Sequence, residues 1–578
     1  MIRRWLGRFL AVIGFFSLLL FAGLFGLGWW AMGKFEQRTT VEVPGEVVLV
    51  ADWRGGVPEK TLGFRGFAPL PFDTQLALPE TLFALEQAAR DPRVKGLVVL
   101  TDGQGFGLGQ AQELRIAVER LEAAGKFTAV YADSLGEFEG GMIGTFLVSA
   151  FEHVQVQPLG MLGLTGLNAE QPYFGRLLDD LDVELQVEQR EAFKTALESF
   201  VRSEPSPEQT VMLDRLLDRL FGELVGGIAR SRELAEEDVR RAVDQGPLLG
   251  EEAREFGLID AVAHQSALWQ TVEDRTGTTT QLPLARYLRA GPAEEILPEA
   301  TFGFVHAVGP IRRGSDETLG GRLEIAGDSL AAAIDAAREA QVDALVLRIN
   351  SPGGSAVASE TAAEAVRRVK AAGIPVVVSM GDVAASGGYW LSMDADRIVA
   401  APVTLTGSIG VVAGKPALDG LLTRLGIDVA VERRGANAGF GSLIEPWDDR
   451  ALARVDVLLD DIYQSFVDGV AAGRDLSPER VRALAGGQVW TGREALDLGL
   501  VDELGGLLDA ITLAKASAGL EADAPVSLER FPGPRPPLLE ALRSLDLVHV
   551  GLERAALWLR HNSPAADLRF EAAPPVLR

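Results

Sequence analysis

Hydrophobic and polar positions follow two regimes along this chain. From Phe9 to Gly33 run 25 residues without a charge, FLAVIGFFSLLLFAGLFGLGWWAMG. About 20 such residues span a bilayer core as a helix. Trp29 and Trp30 stand near one end, where interfacial aromatic belts lie. Arg3, Arg4 and Arg8 precede the run, and Lys34, Glu36 and Arg38 come after it. The charge bias predicts a cytoplasmic N-terminus (1–8), a signal anchor (9–33) and a remainder outside the cytoplasm. The rival is a cleaved signal peptide. The run is long for one, and no small-x-small site directly succeeds it. No later segment is apolar over a comparable length, so a single-pass topology is expected.

Beyond residue 45 the pattern changes to short β-rich apolar runs alternating with helical periodicity. VKGLVVL (94–100) and VDALVLR (342–348) are two such runs. AAGKFTAV (123–130) matches AAGIPVVV (371–378), offset by 248 residues. PLGMLGLTGL (158–167) matches PVTLTGSIGV (402–411), and residues 234–260 align with 476–502 without a gap. Four blocks in the same order indicate an internal duplication. Strands alternating with helices predict βαβ units and mainly parallel pairing. Unit one is placed at 45–275 and unit two at 300–515. A connector is expected at 276–299, and an accessory, Pro-punctuated tail at 516–578.

Composition narrows the function classes. Across 578 residues, 47% are hydrophobic and 24% charged, which is ordinary for a globular chain. The formal net charge of −26 makes nucleic acid a poor partner. There is no Cys, so thiolate nucleophiles, disulfides and Cys-ligated metals are excluded. Only eight of the 55 basic residues are Lys, which makes each Lys worth weighing.

Three small-residue turns come after predicted strands in unit two. They are Asn350-Ser351-Pro352-Gly353-Gly354-Ser355, Gly381-Asp382-Val383-Ala384-Ala385-Ser386-Gly387-Gly388 and Leu405-Thr406-Gly407-Ser408-Ile409-Gly410. Taken singly, the first reads equally well as a plain strand-to-helix turn, the second better as a helix N-cap Ser, and the third as a tight turn in a sheet-rich core. Together, at C-terminal ends of parallel strands, they converge where such sheets bind ligands. Ser386 at such a turn can expose a hydroxyl beside backbone N–H groups. A Ser nucleophile needs a base. None of the five His lies in a small-residue turn. A Lys whose pKa burial lowers can serve instead.

The repeat comparison selects one. Aligning the Gly pairs sets Glu139 of unit one against Ser386, and Leu164 against Ser408. VEQREAFKTALESF (187–200) lies against VERRGANAGFGSLI (431–444), which sets Lys194 against Ala438. Unit one keeps a Lys where unit two has Ala, and unit two keeps a Ser where unit one has Glu. A Lys restored at Ala438 would then offer a dyad within unit two.

SPGGS, GDVAASGGYW and LTGSIG, with the upstream FKTALESF, resemble the signal peptide peptidase A (protease IV) family in its long tandem form. The resemblance covers nearly the whole chain. It implies two tandem Clp protease/crotonase-like α/β repeats behind one transmembrane helix. It further implies a serine endopeptidase at the bacterial inner membrane, facing the periplasm, with Ser386 as nucleophile and Lys194 as general base. Ser408 would support the Lys, and the oxyanion would be held by Gly387 with Gly353 or Gly354. Substrates would be released signal peptides and other apolar peptides. No metal or other cofactor is implied, and a ring-like homo-oligomer, such as a tetramer, is. A crotonase-type acyl-CoA enzyme and a catalytically inactive membrane scaffold are the alternatives.

Overall fold

The structure, a computed structural model, describes residues 42–60, 76–291, 297–315 and 323–532. The expected anchor (9–33) and residues 533–578 of the tail lie outside them. Among the described residues no helix is long and apolar enough to cross a membrane.

In unit one, β1 (Val47–Asp52), β2 (Val94–Thr101), β3 (Phe127–Ala132) and β4 (His153–Val156) alternate with α1 (Leu78–Arg90), α2 (Leu108–Ala123) and α3 (Met142–Val148). Then come β5 (Glu184–Arg190), the long α4 (Pro207–Ser231), β6 (Ala261–Val262), β7 (Gln281–Pro283) and α5 (Leu284–Ala290). The main sheet runs β6–β4–β3–β2–β1–β7, all parallel. Its central strands are near-continuous apolar runs, as sheets covered on both faces require.

Unit two repeats the plan. β8 (Ala300–Val308), α6 (Gly327–Glu339), β9 (Ala344–Ser351), α7 (Ala356–Ala371) and β10 (Val376–Ala385) lead to the one-turn α8 (Gly387–Trp390). Next are β11 (Arg397–Ala400), β12 (Leu405–Gly407), β13 (Val411–Ala417), α9 (Asp449–Gly473), β14 (Val489–Thr491), β15 (Glu503–Leu504), α10 (Leu507–Ser517) and β16 (Val526–Phe531). The sheet order is β14–β12–β10–β9–β8–β16, with β11 pairing β10 and β15. Only the β12–β14 pair is antiparallel in this sheet.

Two expected boundaries move. Within the expected connector, β7 closes the edge of the first sheet against β1, and α5 packs behind it. The start of the tail is β16, paired parallel with β8. Both are short strands next to Gly or Pro, where a pairing edge leaves little periodicity to read. β10 also outruns the expected strand. It continues to Ala385 by exchanging its partner β11 for β12 on one side, while β9 still pairs with it on the other at Ser351.

The two units share one core. Alternate residues of the second sheet (Phe302, Phe304, Val346, Val377, Val399) join the cluster built on Leu49, Leu97 and Leu114 of unit one. Their neighbours Val305, Leu347, Val378 and Ile398 face a separate cluster within unit two. The period of two is that of a strand with both faces covered. On the shared face Arg348 is fully buried. Its guanidinium donates to Glu59 Oε1 at 2.8 Å and to Glu113 Oε1 at 2.6 Å, both from unit one. Glu113 Oε2 accepts the N–H of Leu507 at the start of α10. Burial opposes ionisation of Glu59, but the Arg348 charge holds its carboxyl down to about 2. Burial pushes Glu113 up to about 7 despite the same guanidinium.

Candidate active site

Ser386 comes directly after β10, at the point where Ala385 pairs with Gly407 of β12. Its N–H donates to Gly407 O at 2.8 Å. Its backbone sits at φ 54°, ψ −119°, a conformation disfavoured for a residue with a Cβ. The hydroxyl makes no capping hydrogen bond to α8, although Ser386 occupies the N-cap position. Capping therefore does not account for this Ser.

Lys194 Nζ lies 2.9 Å from Ser386 Oγ, 2.9 Å from Ser408 Oγ and 2.8 Å from Ser408 O. The Lys side chain is buried. Burial pulls its ammonium down to about 8, with no carboxylate acting against it. An uncharged amine has two N–H groups and one lone pair. With Ser408 accepting both N–H groups, the lone pair is left for the Ser386 hydroxyl.

The chain path explains how residues 192 apart meet. β5 of unit one pairs antiparallel with β13 of unit two, from Glu184 opposite Ala417 to Arg190 opposite Val411. Arg190 is tied to α9 through Asp460 at 2.5 Å and Asp456 at 2.8 Å. The loop after β5 then folds over the turn before β13. A second loop clasps both. Phe193 N–H donates to Gly486 O, Gly487 N–H to Ile409 O and Ser408 N–H to Gln488 O. Gly487 sits at φ +81°, and a Cβ there would come within 2.5 Å of Lys194 N. Only glycine admits this approach. Gly486, Gly487 and Gln488 are not among the residues expected from the sequence; the Gly-Gly pair in LAGGQVW was the available signal.

The three glycines take different positions. Gly353 N–H donates to Ser351 Oγ at 3.2 Å, and Gly353 O accepts from Ile311 N–H at 2.8 Å. The N–H groups of Gly354 and Gly387 have no acceptor among the described residues. They lie close together: a Cβ on Gly387 would stand 3.2 Å from Gly354 N. Gly353 and Gly354 sit at φ +100° and +150°, where only glycine is comfortable.

Unit one lacks this constellation. Its turn keeps a positive φ on Phe138 (55°), beside Glu139, and Leu164 is fully buried. Ala438, the position aligned with Lys194, lies in a segment without a strand partner among the described residues, and its N–H bonds Gly435 O. The Lys reaches its Ser by crossing between repeats. A Lys at 438 would therefore not meet Ser386 within the same unit.

The model of peptidase family S49 matches residues 126–278 and 368–521, once in each unit. The chain is 30% identical to Protease 4 of Haemophilus influenzae over 518 residues, covering 85% of this chain and 82% of that one. It is 29% identical to the chloroplastic serine protease SPPA of Arabidopsis thaliana, covering 84% and 72%. Protease 4 of Salmonella typhi is 28% identical, covering 87% and 83%. A peptidase family thus matches both repeats, and the likeness to its members runs through both. The chain belongs to peptidase family S49 and is a serine peptidase.

Proposed function

We propose that this peptidase is a membrane-anchored endopeptidase with a Ser386–Lys194 dyad, built from two Clp protease/crotonase-like repeats, that degrades released signal peptides and other apolar peptides. The observation that carries the reading is the buried Lys194 amine, 2.9 Å from Ser386 Oγ with no carboxylate beside it. Neutral Lys194 takes the Ser386 proton as Oγ attacks the peptide carbonyl carbon. The N–H groups of Gly387 and Gly354 receive the oxyanion. Gly353 is not the donor, because its N–H is engaged by Ser351. The Lys194 ammonium returns the proton to the leaving amine. A water, deprotonated by Lys194, then hydrolyses the Ser386 ester.

Full-length protein in detergent tests the dyad. Ser386→Ala and Lys194→Ala should each abolish cleavage of a fluorogenic apolar peptide, with circular dichroism unchanged. Wild-type turnover by Ser386→Ala would overturn it. The expected topology, with the catalytic units on the periplasmic face of the bacterial inner membrane, rests on Arg3, Arg4 and Arg8 before the apolar run. Protease added outside spheroplasts should digest both units. Protection there, with digestion only in inverted vesicles, would reverse the topology.

The β5–β13 ribbon supports a head-to-tail ring. Residues 428–434 (DVAVERR) align with β5, and 167–173 (LNAEQPY) align with β13. Neither has a strand partner among the described residues. Ile427, Val429 and Val431 are 48%, 45% and 44% exposed, in the alternation of one strand face. The segment 428–434 of one copy would pair with 167–173 of the next, repeating between chains the ribbon made within each.

A further inference from the structure

β10 does not run straight to Ser386. Its pairing with β9 passes from Ile349 opposite Met380 to Ser351 opposite Ala384. One residue of β9, Asn350, thus faces three of β10: Gly381, Asp382 and Val383. A bulge of this kind bends a strand and re-aims the residues beyond it. Here the residue beyond it is Ser386.

The bulge is held by side chains. Asn350 Oδ1 accepts the Val383 N–H at 3.2 Å, and Asn350 Nδ2 donates to Asp382 Oδ2 at 3.2 Å. The amide orientation is fixed by its two neighbours, one a donor and one an acceptor. The second Asp382 oxygen accepts the N–H of Gln110 at 3.1 Å. Gln110 is in the first turn of α2 in unit one. The N-cap position of that helix is Gly107, which has no side chain to cap it. The Asp382 carboxylate of unit two therefore caps a helix of unit one. Glycines make the approach feasible. A Cβ on Gly107 would collide with the Asp382 carboxylate, and one on Gly109 would stand 3.1 Å from Gly381 O.

We propose that Asp382 and Asn350 are a positioning pair that aims Ser386, held in place by the N-terminus of α2. Unit one then acts on the nucleophile twice, directly through Lys194 and indirectly through Asp382. Asn350 lies three residues before Gly353 and Asp382 four before Ser386, so one pair fixes the nucleophile loop against the glycine loop. The inference rests on Ser386 being the nucleophile.

The test exchanges the pair in the full-length chain. Asp382→Asn alone sets one amide donor against another or against the Gln110 N–H. Asn350→Asp alone sets carboxylate against carboxylate. The double exchange Asn350→Asp/Asp382→Asn restores every donor–acceptor match. The carboxylate then at position 350 accepts from the Val383 N–H and from the amide at position 382, whose oxygen accepts from Gln110. Each single variant should lower kcat about 100-fold with KM nearly unchanged, as expected for a misplaced reacting group. The rate of Ser386 labelling by a fluorophosphonate should fall in parallel. The double exchange should recover most of both. Single variants with wild-type kcat, or a folded double exchange no better than the singles, would overturn the proposal. Should the exchange fail to fold, Gly107→Ala decides from the other side: folded and slow supports the clamp, folded and fully active overturns it. Ser386→Ala is the control. If it still turns over peptide, the dyad reading fails whatever the Asp382 variants do.

Discussion

Arg190 of the first repeat and Val411 of the second stand opposite each other at one end of an antiparallel ribbon. Because the strands run in opposite directions, the chain leaving Arg190 meets the chain arriving at Val411. Lys194 comes four residues after the one and Ser408 three residues before the other. Their contact, and through it the contact with Ser386, is a consequence of strand register. A slip by one residue would turn every side chain of β5 to the opposite face.

Lys194→Arg should be as inactive as Lys194→Ala, because a guanidinium keeps its proton at any working pH and cannot act as the base. In the wild type, kcat/KM should rise with pH through about 8, the value to which burial lowers Lys194. Well below that point it should fall about tenfold per pH unit. A rate profile flat from pH 6 to 9 would mean that Lys194 does not act as the base.

Stability should carry the same signature with its own sign. Lys194 titrates near 8 when folded and at 10.5 when exposed. Between those values the unfolded chain binds more protons, so stability rises with pH there. Relative to Lys194→Met, the wild type should gain roughly 3 kcal/mol between pH 8 and 10.5. Denaturant titrations of both proteins across that window measure it, and parallel curves would contradict it.

Arg348→Met should cost about 3–5 kcal/mol, because it leaves buried Glu113 without a counter-charge and Glu59 with only the His306 ring beside it. The loss should be smaller at pH 5 than at pH 8. Stranded buried carboxyls titrate high, so acid neutralises them in the folded state. Thermal melts at the two pH values, with an equal deficit at both as the contrary result, check this.

In the proposed ring, the segment 428–434 should carry the contact between copies. Val429→Lys/Val431→Lys should leave the fold intact and reduce the particle mass to that of one chain in light scattering after size exclusion. An unchanged oligomer would place the interface elsewhere.

The site is more legible in the sequence than the architecture is. Lys194 stands out because the repeats lost complementary residues, a comparison needing no coordinates. Ser386 and Ser408 are marked by small neighbours after strands. The shared core is not legible: Phe302 and Phe304 read as one buried strand whichever unit covers them. β16 is hidden because RFPGPRPP overlaps and extends past its pairing residues, and a Pro-rich run suggests a linker. The expectation for Ala438 fails for a related reason. Alignment compares units with each other, whereas the β5–β13 ribbon joins different units.

The loop of Gly486, Gly487 and Gln488 that clasps Lys194 and Ser408 lies almost three hundred residues downstream of that lysine. A chain emerging from the ribosome displays Lys194 long before Ser386 has been synthesised. Even then the pair is unfinished until the clasp arrives. During its own synthesis the polypeptide is therefore unarmed, and unfolded chains around it are not exposed to a premature cutting edge.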